Sequence, residues 1–374
     1  MSTTDDSGYG IGARIASGAI PAPDLPWRPR EPTRYAPGIG LIGCGGISEY
    51  HLRAYRQAGY RVVALCDRNP EKAAQRREEF FPKATLYTDY GALIADPAVE
   101  VTDVTTHPAE RGPIIEAALL ARKHVLSQKP FVTDLDTGQR LAELADRQAV
   151  KLAVNQNGRW APHFSYLRQA TRAGILGEIG SANFTVCWNH HWTVGTRFEE
   201  MKHLVLHDFA IHWFDMAAEV FRGRPARRVY AAAARSLSQL ARPPFLAHVA
   251  LEFDHGLATL SFNADCTYGP SDLTTVVGSK GTFTSAGPNL LEQTVTLHTA
   301  AGFSSPALEG NWFGAGFHGA MAELLCAIEE ERAPEHSARN NLASLALAFA
   351  AVASAESGAA TEPGKIRLLP EKRN

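Results

Sequence analysis

The chain has 374 residues, 45% of them hydrophobic and 20% charged, with a formal net charge of −2. That length exceeds a single simple core and implies two domains. A near-neutral balance without basic blocks argues against nucleic acid as the main partner, and no apolar run reaches membrane-spanning length.

Residues 1–37 carry Asp5, Asp6 and then six prolines from Pro21 to Pro37, which favour an extended arm. Such an arm is either disordered or laid across the chain's own surface or a partner subunit's, with Trp27 and Tyr35 as its apolar anchors. No basic start precedes an apolar stretch, so a secretory signal is not expected. The five scattered cysteines, Cys44, Cys66, Cys187, Cys266 and Cys326, lack CxxC spacing and point to reduced thiols in a cytoplasm.

From residue 38 to 158, short apolar strands alternate with amphipathic helices, the pattern of a parallel sheet wound on both faces. Gly43-Cys44-Gly45-Gly46-Ile47 follows one strand and opens a helix, and a second strand ends at Asp67. This is the dinucleotide-binding fingerprint. Gly43 permits the tight turn, Gly45 lets a pyrophosphate approach, and the helix start offers free N–H groups. Asp67 suits ribose hydroxyls and so favours NAD, while Arg68 beside it leaves NADP open; Ser48 stands where a third small residue is usual. Cys44 sits where a helix start lowers a thiol pKa, although a small residue filling a crowded turn explains it as well. A helix is expected over 113–121. The ligand edge of the sheet comprises Gly43–Ile47, Asp67, Thr106, His107, Gln128, Lys129, Pro130, Gln156 and Asn157.

Beyond 159 the pattern becomes a few helices and many alternating strands joined by short turns, an α+β unit with a large, mostly antiparallel open sheet over 159–374. Its final two helices are candidates to pack back on the first domain. A helix over 204–221 places Asp208 and His212 four apart on one face. There the imidazole can take a hydroxyl proton and the carboxylate can orient it, although such a pair is equally a structural hydrogen bond or a surface ion pair. Lys129 is placed to hold a substrate oxygen. The loop Trp188-Asn189-His190-His191-Trp192 suits sugar stacking, with His191 and Trp192 as substrate contacts beside Asn157, or else domain packing. His203 and His207 share the same spacing and His190-His191 lies just upstream, which raises a metal site, but no Glu completes a metalloprotease-type helix motif and no metal is expected. No Gly-x-Ser-x-Gly elbow supports a hydrolase.

The segments Gly43-Cys44-Gly45-Gly46-Ile47-Ser48, Leu65-Cys66-Asp67, Ser127-Gln128-Lys129-Pro130, Asp208-Phe209-Ala210-Ile211-His212 and Gly278-Ser279-Lys280-Gly281-Thr282, in this order, resemble the glucose–fructose oxidoreductase and inositol dehydrogenase (Gfo/Idh/MocA) family. The resemblance implies that Lys129 is the lysine of a Glu-Lys-Pro motif and that Asp208 and His212 form an Asp-x-x-x-His pair, with the histidine as acid/base. It implies that Arg159 and Trp160 lie near the cofactor, that the open sheet builds homodimers or homotetramers, and that proline-rich arms serve neighbouring subunits. Gln128 replaces the usual Glu, Thr105-Thr106-His107-Pro108 replaces Thr-Pro-Asn, and Arg111 stands near the usual His. The stretches 127–131 and 155–160 most resemble a branch that contains D-apiose dehydrogenase. The expected activity is NAD-dependent oxidation of a sugar or polyol carbinol, for example an aldose to its lactone. Retained NAD acting in a redox elimination on a glycoside, and a non-catalytic NAD sensor, are the alternatives.

Overall fold

The computed structural model describes residues 18–369. The acidic pair Asp5 and Asp6 lies outside the described residues. Strands β1 (Gly38–Ile42), β2 (Arg61–Cys66), β3 (Thr85–Tyr87), β4 (Val101–Val104), β5 (His124–Gln128) and β6 (Leu152–Asn155) form one parallel sheet in the order β3-β2-β1-β4-β5-β6. The order reverses between β1 and β4, so a crevice opens beyond their carboxyl ends. Helices α1 (Ser48–Ala58), α2 (Pro70–Phe80), α3 (Tyr90–Ala95), α4 (Pro108–Leu120) and α5 (Leu135–Arg147) link the strands. Helix α4 starts five residues before the expected position. Pro108 takes the first turn, where its missing N–H costs nothing, and Pro113 lies inside the helix.

Helix α6 (Pro162–Arg172) leads into the second sheet, β7 (Ile179–Cys187), then α7 (Ile211–Val220), β8 (Ala226–Ala234), β9 (Leu246–Phe253), β10 (Gly256–Asn263), β11 (Ser271–Gly278), β12 (Gly281–Asn289), β13 (Glu292–Thr299) and β14 (Gly302–Ser304). The eight strands run β14-β13-β12-β11-β7-β10-β9-β8. Only β7 and β10 pair in parallel. Alternation along β7 buries Ala182, Phe184 and Val186 against the helices and turns Ser181, Asn183 and Thr185 outward.

The chain then returns to the first sheet. Helix α8 (Gly314–Glu329) lays Phe317, Met321 and Leu324 on Leu52 and Tyr55 of α1, and α9 (Ala338–Ser357) packs against α5, α7 and β8. The described part of the arm runs over its own chain. Ala19 pairs with Phe303 of β14, Trp27 is buried with its carbonyl accepting from Ser165, and the Glu329 carboxylate accepts the Thr33, Arg34 and Tyr35 N–H groups. None of the described helices is long and apolar enough to cross a membrane.

Asp272 of β11 turns its carboxyl inward, fully buried, and neither oxygen has a hydrogen-bond partner among the described residues. Burial pushes it up from 3.8 to about 7. Between those values the folded chain keeps a proton that the unfolded chain has released, so stability from this group falls as pH rises through that window and levels off above it. Asp272→Asn, which carries no charge, is expected to raise the thermal midpoint at pH 8 more than at pH 4. Equal shifts at both pH values would show that the buried charge is not the cause.

Candidate active site

The glycine turn needs its glycines for two different reasons. Gly43 has φ +104°, and a Cβ there would meet the Thr106 N and Thr105 carbonyl carbon at 3.0 and 3.1 Å. Gly45 and Gly46 instead face open space. The Gly45, Gly46 and Ile47 N–H groups have no acceptor among the described residues. Asp67 braces the turn, accepting from the Cys44 N–H at 2.7 Å and the Asn69 N–H at 2.9 Å. Ser48 is buried, and its hydroxyl donates to the Gly45 carbonyl at 2.5 Å, so the polar third residue caps the turn from within. Cys44 is no thiolate, because burial and the Asp67 charge push it up to about 12.

Gly43, Gly45, Asp67, Arg68, Thr106 and His107 line one cavity of about 350 Å³, together with Lys72, Glu110 and Arg197. Free amides at a helix start, an acid at the end of β2 and an open groove between them fit a dinucleotide. Arg197 comes from the second domain. Glu110 pairs with it at 3.4 Å and with Arg68 at 3.0 Å, so one carboxylate ties both sides of the groove mouth. A larger cavity of about 630 Å³ opens at the far end of β5 and β6, beside Lys151 and Arg339, and holds none of the expected residues.

Lys129 follows β5 and reaches the second domain. Its ammonium donates to the Asp208 carboxylate at 3.1 Å and to the Asp208 carbonyl at 2.9 Å. The expected single helix is broken here, with Val205–Phe209 forming a π-helical turn before α7 begins. The wider turn directs Asp208 to Lys129, and no hydrogen bond joins it to His212. His212 is buried, its Nδ1 has no partner among the described residues, and burial followed by the Lys129 charge holds the imidazole well below its ordinary pKa. It is therefore a neutral acceptor beside a cationic donor. Its ring meets Trp312 edge-on at 5.0 Å, and Asn157 donates to the Trp312 carbonyl, so Asn157 supports this wall from behind.

Gln128 points away from the Lys129 ammonium, its Oε1 accepting the Lys129 backbone N–H at 2.6 Å. Arg111, read in sequence only as a departure from a motif, is buried and donates to the carbonyls of Thr106, Gln128 and Pro130. One guanidinium thus locks the loops after β4 and β5 together.

Other expected residues sit elsewhere. His191 is held by Asp265 at 2.6 Å and packs on Phe245. Its neighbour His190 takes the inward place. It stacks on Phe209 at 4.1 Å, accepts from the Trp192 indole N–H and feels both the Asp208 and Lys129 charges, with burial taking it down to about 4. Trp192 is 57% exposed at the rim. Arg159 does not line the groove. It is buried in ion pairs with Asp215 (2.6 Å) and Glu219 (3.3 Å). Trp160 packs against Gly319 and His336, because a buried cation and a large ring both need partners that only the packed helices supply. Among the described residues, no three His, Cys, Asp or Glu side chains are placed to hold an ion.

Two matched units and one groove define an NAD-binding, two-domain oxidoreductase. Residues 38–156 match the oxidoreductase family with an NAD-binding Rossmann fold, and residues 164–284 match the GFO/IDH/MocA C-terminal domain. The chain belongs to the GFO/IDH/MocA family, as an NAD(P)-dependent dehydrogenase of the sugar and polyol type acting on CH–OH. It is 27% identical to a D-apiose dehydrogenase from Paraburkholderia graminis, over 86% of this chain and 88% of that one. It is 25% identical to an inositol 2-dehydrogenase from Rhizobium meliloti, over 84% and 96%. An Agrobacterium radiobacter oxidoreductase solved with NAD+, L-tartaric acid and magnesium shares the fold, with a TM-score of 0.79 and 20% identity over 88% and 99% of the chains.

Because Arg197 lines the groove from the opposite domain, Arg197→Ala is expected to weaken NAD+ binding roughly fivefold, an effect that shrinks in high salt. Calorimetric titration of NAD+ checks this, and unchanged affinity at low salt would remove Arg197 from the cofactor site.

Proposed function

We propose that this dehydrogenase oxidises a ring carbinol of a sugar or polyol, with an aldose converted to its lactone as the leading case, and that Lys129, Asp208 and His212 carry the reaction. One observation supports it above the rest: the Lys129 ammonium, held by Asp208 at 3.1 Å, lies within electrostatic reach of a buried, neutral His212. Gly43, Gly45, Gly46, Ile47, Asp67, Thr106 and His107 would hold NAD+, which supplies the hydride acceptor when bound. Lys129 donates to the reacting oxygen and stabilises it as negative charge develops. His212, neutral beforehand, takes the hydroxyl proton. Asp208 keeps the ammonium aimed rather than orienting the imidazole. His190 and Trp192 supply flat faces and a polar edge at the rim, which suits a polyhydroxylated ring. Similarity to D-apiose and inositol dehydrogenases supports that substrate class. The unpaired cysteines support a cytoplasmic setting.

Self-association through the outer face of the eight-stranded sheet belongs to the same reading. Tyr230, Leu257, Leu273 and Val277 remain exposed there. Leu257→Glu combined with Val277→Glu is expected to leave a folded monomer where the parent chain is a dimer or tetramer. Light scattering decides, and an unchanged mass would place the interface elsewhere.

Lys129→Met and His212→Ala are each expected to lower kcat at least 1,000-fold with NAD+ affinity within about twofold of the parent. The measurement is NADH absorbance across a panel of aldoses and polyols, with NAD+ titrated separately. Near-normal turnover in either variant would overturn the assignment.

A further inference from the structure

Beneath Lys129 lies a second polar cluster that touches no reacting atom. His51 and Tyr55 on α1, Asp103 in β4, and Gln128 and Asn155 at the ends of β5 and β6 are all buried. Asp103 Oδ2 accepts from the Tyr55 hydroxyl at 2.7 Å and lies 2.7 Å from His51 Nδ1. An ionised carboxylate only accepts, so the ring proton sits on Nδ1. His51 Nε2 is then a bare acceptor, and it faces two amide nitrogens, Gln128 Nε2 at 3.3 Å and Asn155 Nδ2 at 3.2 Å. The Gln128 amide orientation is fixed independently, because its Oε1 takes the Lys129 N–H. Every donor therefore meets an acceptor along Lys129 N–H, Gln128, His51 and Asp103.

We propose that Gln128, His51 and Asp103 are positioning residues that hold the Lys129 main chain, and that glutamine at 128 keeps His51 a neutral Nδ1–H imidazole. A glutamate there would set an acceptor against the bare Nε2, a clash relieved when a further proton enters that contact, and the more basic imidazole is the group expected to hold it. With glutamine, the one carboxylate hydrogen-bonded to the Lys129 ammonium is Asp208, across the domain gap. The groups facing His51 are Asp103 from β4, Tyr55 from its own helix, the two amides, and the Phe317 ring of α8 at 4.5 Å; Arg111 acts on Asp103 from α4.

The inference rests on the dehydrogenase reading for its kinetic part, but two of its readouts need no turnover. Nitrogen-15 spectra of histidine-labelled full-length protein, with the His51 signals assigned by their loss in His51→Asn, are expected to show a protonated Nδ1 and a bare Nε2. Gln128→Glu is expected to protonate both nitrogens at pH 7. Deuterium exchange at the Lys129 amide is expected to be at least tenfold faster in Gln128→Leu. In turnover, Gln128→Leu is expected to lower kcat about tenfold with NAD+ affinity unchanged. Gln128→Glu should restore kcat at low pH and lose it as pH rises and the second ring proton leaves, an alkaline limb absent from the parent. A protonated Nε2 in the parent, or Gln128→Glu with a singly protonated ring and no new limb, overturns the proposal. Failure of the dehydrogenase reading alone would leave the spectra and exchange as predicted.

Discussion

The ion pair between Lys129 and Asp208 joins the two domains at the proposed reaction centre. Its side chains are only 15% and 9% exposed. Removing either partner leaves a poorly solvated charge, so the pair enforces its own geometry more strictly than a surface bridge does. Neither residue finds this geometry unaided. Arg111 fastens the loop that carries Lys129, and the π-helical turn before α7 directs Asp208 out of the helical register.

A second charge cluster fixes the other half of the site. Arg159, Arg168 and Arg172 interleave with Asp215, Glu219 and Glu335 where α6, α7 and the α8–α9 turn converge. Burial alone would raise Glu219 and Glu335, yet the arginines hold both down to about 2. Asp215 lies one turn beyond His212 on α7, so this network sets the rotation of the helix that presents the imidazole. The Trp312 ring then closes the space behind it.

Much of this was legible from residues alone. The strand–glycine–helix–strand–Asp67 unit announces its conformation locally, because apolar strands, glycines and caps each act over a few residues. The second sheet showed itself by alternation and by hairpin turns such as Asp254-His255-Gly256. What stayed hidden depends on distant partners. His190 and His191 are adjacent and chemically identical, and only Asp265, 74 residues away, draws His191 aside. Arg159 had to be seen with Asp215 and with the Glu335 carbonyl, 56 and 176 positions away, before its structural duty was plain. A π-helical turn leaves the sequence spacing of Asp208 and His212 unchanged while changing where one of them points. The start of α4 was missed because two prolines, Pro108 and Pro113, both make acceptable first residues.

The eight-stranded sheet ends in short, foreign pieces of backbone. Ala19 of the arm bridges β14 at one margin, and Thr361 of the closing segment bridges Val229 of β8 at the other. Unpaired strand margins are templates on which further chains can add and propagate as fibrils. Each rim is thus partly covered by a segment of the same chain, which narrows the margin open to runaway polymerisation. Self-association is thereby left to its broad face, the surface assigned to it in the proposed reading, where a two-fold contact would close on itself.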